Sequence, residues 1–358
     1  MSRLVPGFTA VMLMAPTLGA PALVGAQAAP AAAATDPALT EWEVPYPGSR
    51  PRDPAVAPDG RVWFCGQAGA YIAVLDPETG DFPRYDTGGV LPHNLIVDAD
   101  GQVWYTGNAA MDGGVARHIG RLDPATGDIE VFMLSDERAR DPHTLVFDSQ
   151  GDMWFTVQGG NFIGKFWPET GESRLVESVR VEGRRGSSSR PYGIVVDSSD
   201  RPWIALFNTN AIATVDPETF ELETFELPEN ALPRRIAITS DDIIWYGDWT
   251  RGTLGRLDPA TGEVREFPLP SGEDSRPYGM LADDSDRIWI VETGVQPNKF
   301  VGFDPMTEMM FSVVEIESGG GSVRHMYFDA ETNSVWFGAD SNTVGVAKLP
   351  PRRRAVSH

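Results

Sequence analysis

The sequence predicts an all-β fold, a seven-bladed β-propeller built from four-stranded blades. Three observations carry that prediction. A tryptophan at the head of an apolar strand recurs as Trp63, Trp104, Trp154, Trp203, Trp245, Trp289 and Trp336, at spacings of 41 to 50 residues. Twelve residues before six of these stands a proline: Pro51, Pro92, Pro142, Pro191, Pro233 and Pro277. After each tryptophan strand comes a turn such as "LDPETG", "LDPATG" or "FWPETG", then an alternating strand such as "EVREFPLP".

Each copy therefore offers four short strands separated by Asp/Pro/Gly turns, and no segment carries a helical period. Four strands per 40–50-residue repeat is the pattern of a propeller blade. The seventh copy ends at "VGVAKLP" without an outer strand, while "EWEVPYP" (41–47) stands alone near the N-terminus. Pairing the two completes the last blade and removes a free sheet edge. The recurring tryptophans read as packing residues between blades. In the turns Asp and Pro set the bend and Gly supplies the positive φ.

The ends and the composition bound the rest. "MSRLVPGFTAVMLMAPTLGAPALVGAQA" has a basic residue, an apolar run broken by Pro16 and Pro21, and a small-x-small ending, which predicts a cleavable signal peptide ending at Ala28. A flexible segment (29–40), the propeller (41–350) and a short tail (351–358) follow. No other run is apolar enough to span a bilayer as a helix. The expected location is periplasmic or secreted. Charge is strongly acidic, 29 basic against 51 acidic residues, which excludes a nucleic-acid partner. Cys65 is the only cysteine, so there is no internal disulfide and no cysteine-based metal site.

In a propeller the first strand of every blade lies on the axis, and the loop after the second strand opens on the same face. The residue after each proline is then Arg52, His93, His143, Tyr192, Arg234 or Tyr278. The last copy lacks the proline. Strand alignment gives Arg324 there, whereas counting back from Trp336 gives His325. Every blade thus offers a large hydrogen-bonding side chain at one convergent position, a ring suited to binding. Just past the tryptophans, Asp248 and Glu292 add acidic groups to the same mouth. Two long loops, 107–118 and 176–190, face it as well, the second carrying Arg180, Arg184, Arg185 and Arg190.

His93 and His143 occupy the same position in neighbouring blades, so either can serve as a general base near neutral pH. Asp141 can donate a carboxylate to a hard cation such as magnesium, with Gln158 and waters adding ligands. The expected ligand contacts are Arg52, Tyr192, Arg234, Tyr278, Arg324, His325, Glu292 and Asp248.

The stretches "RPYGIVVDSSDRPWI", "RPYGMLADDSDRIWIVE", "HIGRLDPATGDIEVF" and "TLGRLDPATGEVREFPLP" resemble the repeats of the virginiamycin B lyase (streptogramin B lyase) family, seven-bladed propellers. The likeness covers essentially the whole mature chain. It implies a non-hydrolytic elimination: a histidine removes a proton α to a lactone carbonyl while carboxylate-held Mg2+ stabilises the enolate-like charge. The family's acidic-Pro-His motif matches Asp141-Pro142-His143, and its second histidine matches His93. Its second metal-binding glutamate falls on Gln158. Two departures stand out: Asp replaces the first glutamate, and neutral Gln the second. The family enzyme is also intracellular, whereas this chain carries an export pattern. The expected function is an exported lyase-like enzyme acting, as a monomer, on a small cyclic ester or peptide. The competing expectation is a non-catalytic propeller that binds a ligand or protein through the axial Arg/His/Tyr ring. A six-bladed lactonase is disfavoured by the seven copies.

Overall fold

The computed structural model describes residues 36–181 and 187–351. Apart from two 3-10 turns, Gln67–Gly69 and Gly272–Asp274, the regular elements among these residues are β-strands. They form seven antiparallel sheets of four strands. Blade 1 runs Pro51–Val56, Val62–Gly66, Tyr71–Leu75 and Arg84–Asp86. Blades 2 to 6 open with Val90–Val97, Pro142–Phe147, Pro191–Val196, Pro233–Ile238 and Pro277–Ala282. Blade 7 contains Val323–Asp329, Ser334–Ala339 and Thr343–Lys348, and its outer strand is the N-terminal Ala38–Glu43.

The closing strand exists as expected but spans Ala38–Glu43, starting three residues before and ending four before the expected 41–47. Its register pairs Ala38 with Lys348 and Glu43 with Thr343. Pro45 and Pro47 end it, because proline has no N–H to give the ladder. Trp42 stacks on Trp336 at 5.7 Å between ring centroids, so closure buries an aromatic pair as well as pairing an edge.

Each recurring tryptophan bridges one blade to the next. Trp63 packs with Leu95 and Tyr105 of blade 2, Trp104 with Leu145 and Phe155 of blade 3, and Trp289 with Val323 and Met326 of blade 7. Trp336 closes the circle against Phe64 of blade 1. A ring that buries roughly 200 Å2 contributes on the order of 5 kcal/mol of transfer free energy. Three indole N–H groups also donate to an aspartate six residues upstream: Trp104 to Asp98, Trp203 to Asp197 and Trp289 to Asp283. On the rim away from the prolines, Ser149, Ser198 and Ser240 each hydrogen-bond the aspartate of the following blade, Asp200, Asp242 and Asp286.

Inside the channel, on that same far side, the first strands enclose an apolar cavity of about 450 Å3 lined by Leu145, Ile194, Ile236, Met280 and Met326. His325 borders it toward the proline face. No helix among the described residues is long and apolar enough to cross a membrane.

Candidate functional site

Each proline pairs with the residue three past the tryptophan, as Pro142 does with Val157. Strand pairing then slips before resuming, as between Pro142 and Leu145. The same irregularity occurs in all seven blades. A bulge of this kind re-aims side chains, and here it turns two consecutive residues per blade toward the axis. The first set is the ring read from the sequence. In blade 7 Val323 takes the proline's place opposite Ala339, which puts Arg324 in the ring and His325 in the second set. The tryptophan count misleads because the Asp329–Ser334 turn carries one extra residue.

The second set is Asp53, Asn94, Thr144, Gly193, Arg235, Gly279 and His325, and sequence reasoning missed most of it. Arg235 reaches over the axis from blade 5. Its guanidinium donates to Asp53 Oδ2 (3.3 Å), Thr144 Oγ1 (3.1 Å) and the Arg324 carbonyl (3.0 Å). Asp53 also accepts from Arg52 Nε (3.1 Å) and Asn94 Nδ2 (3.0 Å). Despite the desolvation that opposes it, this set of cations holds the Asp53 carboxyl far below the usual carboxylate range. Gly193 is what admits the strand carrying Arg235: a Cβ there would lie 2.9 Å from Arg235 Cα. The available signal was the position two after each proline, which is polar or charged in four blades and glycine in two.

Above this plug the predicted histidines come together. The His93 and His143 rings lie 3.7 Å apart between centroids, and Tyr192 covers the other side of His143 at 4.0 Å. His93 Nδ1 is 3.0 Å from the His143 carbonyl, which can only accept, so this nitrogen carries the proton and Nε2 is a lone-pair base. His143 Nδ1 is 2.8 Å from Thr144 Oγ1. Arg235 donates to that same oxygen, and with the hydroxyl proton turned toward Nδ1 the His143 proton sits on Nε2. The described residues give neither Nε2 a hydrogen-bond partner. Burial, reinforced by nearby guanidinium groups, pushes both imidazoles well below their ordinary pKa. Both are therefore neutral at pH 7.

Asp141 stands beside them with φ 66°. The same left-handed backbone occurs before the proline at Arg50, Arg190 and Arg276, so it belongs to the blade and not to chemistry. Asn108 Nδ2 donates to Asp141 Oδ1. With its amide oriented to satisfy both neighbours, Gln158 donates to Asp141 Oδ2 (3.1 Å) and accepts from Arg190 (2.9 Å). Burial pushes the Asp141 carboxyl up to about 7, against the opposing pull of Arg190 and Arg52.

The residues present do not fit the divalent metal expected here. Asp141 is a single carboxylate with amide donors on both oxygens, and a guanidinium stands beyond Gln158 where a second acidic ligand is needed. Among the described residues no three His, Cys, Asp or Glu side chains are grouped to hold a metal. A hard cation needs several oxygen donors with more than one negative charge in most such sites.

The other half of the ring is aromatic and cationic. The hydroxyls of Tyr192 and Tyr278 hydrogen-bond across the mouth. Arg234 lies 3.5 Å from the Tyr278 ring centroid and 4.1 Å from that of Trp249. Arg52 donates to Gln67 as well as Asp53, and Arg324 pairs with Asp340 at 2.6 Å. Burial opposes ionisation of Tyr192, but Arg234, Arg235 and Arg52 outweigh it and hold that phenol below its usual value. His325 is kept neutral, its pKa pushed down to about 3 mainly by burial.

Two predicted contacts do not join the mouth. Asp248 and Glu292 are fully buried. Asp248 accepts from the backbone amides of Leu232, Thr250 and Arg251, and Glu292 from the amide and hydroxyl of Ser271. Both cap loops. Of the two long loops, 107–118 is an extended hairpin, with Val103–Ala110 paired to Val115–Leu122. In 176–190, Arg180 pairs with Glu177 and Arg190 belongs to the Asp141 cluster, while Arg184 and Arg185 lie outside the described residues.

A seven-bladed propeller with a histidine-bearing axial mouth defines the class of protein. The sequence pattern of the virginiamycin B lyase family matches residues 31–178 and 184–346, and the chain belongs to that family. Solved structures agree with the fold. The virginiamycin B lyase of Staphylococcus aureus is 24% identical, with a TM-score of 0.75 over 88% of this chain and 100% of that one. A streptogramin B lyase structure is 25% identical, with a TM-score of 0.74 over 88% and 98%. The catalytically inactive S. aureus enzyme with quinupristin gives 24% identity and a TM-score of 0.75 over 88% and 100%. No curated protein matches the chain in sequence.

Proposed function

We infer that this chain opens a small cyclic ester by elimination, without water, at its axial mouth. The observation that carries this reading is the His93–His143 stack, in which the His143 carbonyl holds the His93 proton on Nδ1 and leaves its Nε2 a free lone pair. His93 Nε2 takes the proton α to a carbonyl. The C–H electron pair becomes a carbon–carbon double bond, and the β-carbon–oxygen bond breaks with its pair leaving on a carboxylate. His143 Nε2–H meets the charge that develops on the activating carbonyl. So weak a base needs that stabilisation, because an α-C–H is itself a weak acid.

The signal pattern over residues 1–28, which lie outside the described residues, supports export to the periplasm or beyond. Acting as a monomer on a small ligand is consistent with a single mouth on one face.

Mass spectrometry of the purified protein incubated with streptogramin B and simple lactones, with and without Mg2+, tests the proposal. Ring opening at unchanged mass is expected, lost in His93→Ala and His143→Ala. A product heavier by one water, or no product with any ester, overturns it. A second reading, a non-catalytic binding propeller, is favoured by one observation: neutral Gln158, with Arg190 behind it, stands beside Asp141 where a second carboxylate would hold a metal. It predicts saturable binding, no product, and no response to His143→Ala beyond affinity.

A further inference from the structure

The cationic half of the mouth holds three guanidinium groups that are not fully used. Arg52 is 3% exposed, donates from Nε and Nη1, and has no acceptor for Nη2. Arg324 spends Nη2 on Asp340 but has no acceptor for Nη1, and Arg234 has none for Nε. These come from blades 1, 7 and 5: Arg234 is 3.5 Å and Arg324 5.7 Å from the ring centroid of Tyr278 in blade 6, and the Arg52 charge acts on both the Tyr278 phenol and the Arg324 guanidinium. A buried cationic N–H without an acceptor is costly, and fixed donors converging from three strands match an oxyanion far better than they match one another. The acidic side chains on this face answer them only in part: Asp340 takes Arg324 Nη2 and leaves its Nη1 without an acceptor. Asp53 is saturated by Arg52, Arg235 and Asn94, and Asp248 and Glu292 are turned into their own loops. The local excess of positive charge sits in a chain whose net charge is −22, so it is not a consequence of composition.

We propose that Arg52, Arg234 and Arg324 form an oxyanion site around Tyr278, which grips a carboxylate or phosphate group of the ligand. The aromatic walls beside it, Tyr192, Phe207 and Trp249, suit an anion carried on an apolar or aromatic body. The depressed phenol of Tyr192 is a second sign of the same field, since the cations that would hold a bound anion already favour negative charge there. This site does not depend on the elimination chemistry, for its donors are guanidinium groups and neither imidazole is among them, although Tyr192 borders both.

Calorimetric titration of the full mature chain at fixed ionic strength tests it with three probes: phenylacetate, inorganic phosphate and neutral phenylacetamide. Either anion binding at least ten-fold tighter than phenylacetamide supports the site, and which one binds identifies the oxyanion. Arg234→Gln and Arg324→Gln should each weaken anion binding ten-fold or more, with Arg324→Lys recovering part of it and thermal melting confirming that the variants fold. Equal binding of the neutral amide, no binding of either anion, or unaltered affinity in both folded Gln variants overturns the proposal. The three probes contain no ester, and the titration reads binding without turnover. Failure of the ester assay and failure of this site are therefore separate results.

Discussion

Arg235 of blade 5 and Asp53 of blade 1 meet across the propeller axis, Nη2 to Oδ2 at 3.3 Å, with both side chains almost wholly buried. They lie on opposite sides of the ring, so the pair ties distant blades together and divides the proline-side mouth from the apolar cavity beneath. Removing one partner leaves a charge in a dry place. Arg235→Ala should cost about 3–5 kcal/mol in urea denaturation, whereas a joint change of Asp53 and Arg235 to apolar residues should cost clearly less than the sum of the two single changes.

Asp53 also fixes an acid limit. Its carboxyl is held far below the unfolded value, so its contribution is complete above that value, near 4, and is lost as pH falls toward the folded pKa. Urea midpoints measured between pH 5 and pH 2 should therefore drop, and the drop should be shallower in Asp53→Asn.

Asp141 behaves in the opposite sense. Folding raises its pKa to about 7, so the stabilisation present below about 4 is lost as pH climbs through 7. Carboxyl carbon NMR should place the titration midpoint near 7. Arg190→Gln removes a cation that lowers this pKa and should shift the midpoint upward; a shift downward would contradict the Arg190–Gln158–Asp141 arrangement.

The histidine tautomers are directly observable. Ring-nitrogen NMR at pH 7 should find His93 protonated at Nδ1 and His143 at Nε2, with both neutral until well below pH 6.5. Thr144→Val takes the hydroxyl from His143 Nδ1 and should scramble the His143 tautomer while leaving that of His93 intact.

Gln158→Glu puts a second carboxylate next to Asp141. Calorimetry with Mg2+ should detect binding in this variant and none in the unaltered chain. Binding of equal strength in both would mean that the Asn108 and Gln158 amides yield to the ion.

Not all recurring tryptophans are equal. Trp289 donates to Asp283 at 2.9 Å, while the buried Trp154 N–H has no acceptor. Replacement by Phe should cost about 1 kcal/mol more at Trp289 than at Trp154, in addition to the shared loss of packing.

The sequence by itself determined the architecture. Seven tryptophans, six prolines and an unpaired "EWEVPYP" are local signals, each repeated, and repetition averages out the error in any one copy. It also brought His93, His143, Tyr192, Arg234, Tyr278, Arg52 and Arg324 to one ring, because a constant offset from the proline becomes a constant place on the axis. What only the tertiary structure decided was how those side chains are used. Asp248 and Glu292 share the face of the ring, yet nearby backbone amides and Ser271 take them, which no repeat position foretells. Asp141 and Gln158 were recognised as neighbours, but their environment depends on Asn108 from blade 2 and Arg190 from the turn before blade 4. The Arg235–Asp53 plug joins residues 182 apart in the chain. Periodicity specifies where strands lie, whereas hydrogen-bond partners and burial across the axis arise only when the ring closes.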